Sequence, residues 1–206
     1  MNSLLLALAV AASSPNRLPP VDQCTKDIAF KGFRQDLVRI SKERDAAALM
    51  DVLDDKVMTD FGPEGNGKAA FTKTWQFDEP ETSGVWDEIA AILRLGCTVE
   101  NGVWAMPSLG HQLDGDADPF ETFLAIDPGS ALRADPSDES KAVARLNWDL
   151  LTLLEVLPDG EWFKMRLRDG RSGFVRKGQL RNPLDYRMLV QRTDNGLRIT
   201  AFIAGD

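Results

Sequence analysis

The sequence predicts an α+β protein: an α-rich N-terminal region, a region of short strands and tight turns, and a C-terminal β-hairpin. Three observations carry this. Phe30, Phe33, Leu37 and Ile40, and later Trp86, Ile89, Ala90 and Leu93, recur at steps that place each set on one helical face. Beyond Pro128-Gly129 the spacing turns to alternation, bracketed by the hairpin signals Asp159-Gly160 and Asp169-Gly170. Finally, residues 186–192 and 197–203 read as two strands joined by Thr193-Asp194-Asn195-Gly196.

Residues 4–12 are an apolar stretch, and Ala9-Val10-Ala11 supplies a small-x-small cleavage pattern. The expectation is a signal peptide over 1–12 and a location in the periplasm or outside the cell. The alternative is a helical N-terminus of a cytosolic protein, because no Lys or Arg precedes the stretch. Asn16-Arg17-Leu18-Pro19-Pro20 is too rich in proline for a helix, so 13–21 reads as a tether. No run of 18 apolar residues occurs, and no integral membrane span is expected in the mature chain.

In the α-rich region, expected over 22–126, Asp27 opens the first helical pattern and Asp45 is placed to cap a second. Residues 56–61 suit a short strand, and 69–75 a short helix. Ser83 is placed to cap the helix that carries Trp86, with Gly96 as its stop. Trp104-Ala105-Met106-Pro107 reads as extended, and 120–126 alternates as a strand before the boundary at Pro128-Gly129.

Residues 131–180 resemble the bacterial SH3 domain family. Leu132-Arg133-Ala134-Asp135-Pro136-Ser137 matches the hydrophobic-Arg pair and Pro-Ser turn that open such domains. The run from Asp159-Gly160-Glu161-Trp162, through the alternating strand and Asp169-Gly170, to Gly173-Phe174-Val175 matches their turn, Trp, strand, Asp-Gly turn and Gly-Trp-Val ending. Phe174 stands where the family usually has Trp, and Asn147-Trp148-Asp149 replaces a glycine-containing turn. The resemblance implies a small SH3-like barrel over 127–181, with a cell-wall peptide or an envelope protein as partner. It implies a ligand groove at Trp162, Phe174 and Trp148, although Trp162 beside its turn is better suited to plain packing over the barrel mouth. Phe163, Met165 and Leu167 should face the core, with Trp162, Lys164 and Arg166 on the other side. The hairpin over 182–206 is placed either to complete the barrel or to return to the N-terminal helices.

The formal net charge is −8, with −10 over residues 1–128 and +2 over 129–206. Nucleic acid is an unsuitable partner for so acidic a chain, because phosphate binding needs a concentrated basic stripe. Cys24 and Cys97 are the two cysteines and His111 the single histidine. The cysteines are expected to pair if the chain is exported, and otherwise to remain thiols. Neither lies in a metal-ligand spacing, no catalytic signature surrounds them, and GxSxG is absent. Gly65-Asn66-Gly67 lacks the ending a phosphate loop needs. The reading is non-enzymatic, without metal or cofactor.

Overall fold

The computed structural model describes residues 17–62, 65–113 and 117–205. The expected signal peptide and the first residues of the tether lie outside the described residues.

Capping chemistry sets the first helices. Helix α1 (Ile28–Glu43) begins where the Asp27 side chain accepts a hydrogen bond from the Phe30 N–H at 2.9 Å. It stops at Arg44, which adopts the left-handed conformation. Asp45 then caps α2 (Ala46–Val52) by accepting from the Ala48 N–H at 3.0 Å. The chain passes directly into β1 (Leu53–Met58), then α3 (Lys68–Thr74), α4 (Val85–Arg94), β2 (Thr98–Glu100) and β3 (Val103–Met106). Ser83 precedes α4, but Gly84 occupies the cap position. The Ser83 hydroxyl donates to the Trp75 carbonyl and accepts from the Val85 N–H.

Gly96 has φ +81°, and a Cβ there would lie 2.2 Å from the Val21 carbonyl oxygen. Only glycine permits the N-terminal segment to cross so closely. That crossing pairs the Cys97 N–H with Val21 and the Gln23 N–H with Cys97. It also joins Cys24 to Cys97 in a buried disulfide with Cα atoms 5.8 Å apart.

The chain then forms β4 (Thr122–Ala125), β5 (Ala131–Arg133), β6 (Ala142–Arg145), β7 (Leu150–Val156), β8 (Trp162–Leu167), β9 (Ser172–Arg176) and β10 (Leu180–Arg181). It ends with β11 (Arg187–Thr193) and β12 (Gly196–Ile203). These strands make two sheets, ordered β1-β12-β11-β3-β2 and β10-β4-β7-β8-β9-β5-β6.

This corrects the expected α-rich N-terminal region followed by a small SH3-like barrel. The described residues are predominantly β, and the second sheet is open, with edges at β10 and β6. β10 pairs with β4 through Leu180–Ala125 and Arg181–Leu124. β10, two residues long, has no ladder with β6 on its other side, so the described strands do not close into a ring. β4 lies before the expected boundary, yet it sits between β10 and β7 in this sheet.

The C-terminal hairpin joins the first sheet. The apolar stripes of α1 and α4 need a broad apolar surface, and β3, β11 and β12 provide it. Phe30 and Leu37 of α1 and Trp86, Ile89 and Ile92 of α4 share one core with Met106, Met188, Val190, Ile199 and Phe202. The first unit is thus assembled from both ends of the chain, with the second sheet inserted. The second sheet has its own core of Leu132, Leu151, Phe163, Met165, Leu167 and Val175. Gly173 admits the close approach of β9 to β5, since a Cβ would lie 2.3 Å from the Arg133 carbonyl oxygen. Leu95, Leu109, Leu124 and Ile126 form a third cluster where the units meet. Among the described residues, no helix is long and apolar enough to cross a membrane.

Candidate functional site

Trp162 begins β8 and pairs with Arg176 on β9. It is only 5% exposed. The Arg176 guanidinium lies over its ring, 4.7 Å from the centroid. Asp138 holds that guanidinium, accepting from Arg176 Nε at 3.0 Å, and Glu161 lies 3.9 Å from Nη1. The Arg176 hydrogen bonds keep the Asp138 carboxyl below the usual carboxylate range, against an opposing desolvation. Trp162 is therefore a covered aromatic.

Phe174, half-buried, pairs with Lys164 and Arg133 on the same outward face. Trp148 is elsewhere. It adopts φ +59° between β6 and β7 and packs with the cluster between the units. Its carbonyl accepts from the Leu18 N–H at 2.8 Å. The structure thus places Trp162 and Phe174 on one face and Trp148 in the seam.

A concavity with a volume of about 700 Å³ lies between the two units. Its aromatic wall comes from Phe120, Phe123 and Phe163, with the latter two rings edge to face at 5.6 Å. Phe120 is 65% exposed at the mouth. Lys177 and Glu161 line the second unit's side. Tyr186 lines the first unit's side and stacks on Phe202 at 5.5 Å. Burial, and then the nearby Glu88 charge, push the Tyr186 phenol above its ordinary pKa.

Arg181 closes the inner side. Its side chain is 7% exposed, and Nη2 lies 2.7 Å from Glu88 Oε1. Its Nη2 also donates to the Tyr186 carbonyl. Nε lies 3.6 Å from Asp185 Oδ2, an ion-pair distance without hydrogen-bond geometry. β10 of the second unit is thereby fastened to α4 of the first. The turn from β10 back to the first sheet is fixed by Asn182, whose amide donates to the carbonyls of Pro119 and Thr122 at 2.8 and 3.0 Å. Asp185 accepts in turn from the Asn182 N–H at 2.8 Å.

Of this cleft, sequence reasoning anticipated only that Phe163 faces inward and that 120–126 is a strand. The Asn182-Pro183 dipeptide was a readable turn signal at the crossing between units. Glu88 and Arg181 belong to different sheets' neighbourhoods, and no local pattern joins them. The arrangement offers an apolar and aromatic slot with charges of both signs at its rim. Its most buried cation is already engaged by two carboxylates.

No family model matches the chain, and no curated protein matches it. Among solved structures, it is similar to a substituted variant titled Rd1NTF2_05 at 12% identity and TM-score 0.30, covering 85% of this chain and 96% of that one. It is likewise similar to "Rd1NTF2_05 with long sheet" at 14% identity and TM-score 0.25, covering 86% and 96%. Likeness at these scores carries no argument about fold or function.

Proposed function

We propose that the chain is an exported, non-enzymatic protein of the cell envelope that takes a short peptide into the cleft between its two units. The peptide belongs to the cell wall or to a partner protein. The observation that carries this reading is Phe120, 65% exposed at the mouth of a cleft walled by Phe123 and Phe163. A large apolar side chain left in water beside a concave aromatic wall is a recurrent mark of recognition surfaces. Lys177 and Glu161 at the rim suit the charged ends of a peptide. The apolar stretch at 4–12 supports export, and the Cys24–Cys97 disulfide is compatible with it.

Calorimetric titration of soluble wall-derived peptides into the wild type and Phe120→Ser tests the reading. Binding is expected to the wild type and to weaken about tenfold or more in the variant, with thermal stability kept because Phe120 is largely exposed. Equal binding by both would overturn the cleft assignment. Failure of the wild type to bind, with a protein partner co-purifying at unchanged affinity in the variant, would favour an accessory scaffold without small-ligand binding.

A further inference from the structure

We propose that the outer groove between α1 and α4 is a second, separate docking surface, and that its occupant is an acidic amphipathic helix of a partner protein. The two helices run antiparallel at their contact. Ser41 Oγ donates to the Trp86 carbonyl at 3.0 Å, and Arg34 Nη2 donates to the Leu93 carbonyl at 2.7 Å. Outside that contact lies a hollow of about 530 Å³, floored by Val38, Trp86, Ala90 and Leu93. A second hollow of about 220 Å³, reaching Phe30, lies on the other side of Val38. Val38 is 51% exposed between them, and Ile28, 87% exposed, stands at the start of α1, about 80° round the helix from it.

The rim charge identifies the partner. Lys42, Arg44 and Arg94 border the larger hollow, and Lys31 and Arg34 the smaller. Arg44 donates to the Glu81 carbonyl and Arg34 pairs with Asp22, while Lys31, Lys42 and Arg94 are exposed. Among the described residues, Asp87 is the one carboxylate lining either hollow. A chain with a formal net charge of −8 thus gathers a basic rim around the exposed Val38 on α1. Apolar anchors from one face of a helix fit two neighbouring hollows, and acidic flanks meet the rim. A second copy related by two-fold symmetry would bring one basic rim against another. An anionic bilayer would match the charge but has no side chains to fill the hollows.

The test uses the full chain and a fluorescent amphipathic peptide of about 15 residues, long enough to form a helix. One version has leucines on one face with flanking glutamates, and the other has lysines in place of the glutamates. The glutamate peptide should bind, more weakly as salt rises, and the lysine peptide should not. Val38→Asp, and separately Lys42→Glu with Arg94→Glu, should each weaken binding by about tenfold or more. All three positions are exposed, and unchanged circular-dichroism melting confirms that the variants fold. Equal binding of both peptides, wild-type affinity in both variants, or no binding of the glutamate peptide would overturn the proposal. Binding to phosphatidylglycerol vesicles in place of the peptide would also overturn it, in favour of a membrane surface. Phe120→Ser should leave glutamate-peptide binding unchanged, which separates this surface from the cleft.

Discussion

Arg181 has exchanged hydration for two carboxylates and a carbonyl, so its truncation leaves Glu88 without its close ion-pair partner. Arg181→Ala should destabilise by about 2–3 kcal/mol, below the upper values for a broken buried pair because the Glu88 side chain keeps 23% of its exposure. Urea denaturation measures this, and the double variant Arg181→Met with Glu88→Leu should recover much of the loss. Met165, fully buried in the second core, should cost about 2–5 kcal/mol on change to Ala. Wild-type stability of Met165→Ala would refute that packing. Among surface acids, Arg176 lowers the Asp138 carboxyl, Lys68 lowers Asp55 and Arg171 lowers Asp169, each chiefly through side-chain hydrogen bonds. Any stabilisation from these depressed values is present above the ordinary carboxylate pKa of about 3.9 and is lost as pH falls through the lower folded values. A chemical-shift titration should find Asp138 below that ordinary value in the wild type and near it in Arg176→Gln. At this scale the alternation made Met165 legible. The roles of Arg181 and Phe120 were not, because they depend on which distant segments become neighbours.

The Cys24–Cys97 bond ties the segment before α1 to the segment after α4, across a sequence separation of 73 residues. Cutting a loop of that length releases about 4 kcal/mol of unfolded-state constraint in the chain-entropy model. Unfolding with and without reductant should differ by roughly that amount, and thiol labelling of the denatured, unreduced protein should find no free thiol. Capping was readable for α1 and α2 but not for α4, where Gly84 takes the cap position expected of Ser83. Asp27 and Asp45 were identified from their position before apolar periodic stretches, and both side chains accept the expected N–H groups. The strand after α2 begins three residues earlier than its local pattern suggested, at Leu53 rather than Lys56. Its apolar Leu53 and Val57 fit the first core, a burial that only the parallel pairing with β12 reveals. β2 is three residues long and carried no signal of its own. The Asp-Gly turns around β8 were legible because their dihedral demands are local, whereas the pairing of β10 with β4 depends on chain segments far apart in sequence.

At the scale of the molecule, the terminal hairpin takes the second of its two expected places, returning to the N-terminal helices, and forms the centre of the first sheet. β12 pairs with β1 and β11, and β11 pairs with β3. A chain truncated after Pro183 should therefore lose the first unit's cooperative unfolding, while amides of β7, β8 and β9 remain protected from exchange. Retained protection in α1 and α4 would contradict that dependence. The sequence showed both halves of this unit as pieces but held no local mark that they belong together. The apolar faces of α1 and α4 specify a need for cover, and only the assembled fold says what covers them. Biosynthesis gives this arrangement a direction in time. The inserted sheet emerges complete while α1 and α4 still lack the hairpin that buries their apolar faces, so the first-made segments are the last to settle. A nascent chain whose early segments stay unsettled until its final strands appear remains open to chaperone capture. The same delay exposes those helices to aggregation whenever synthesis stalls between β10 and β11.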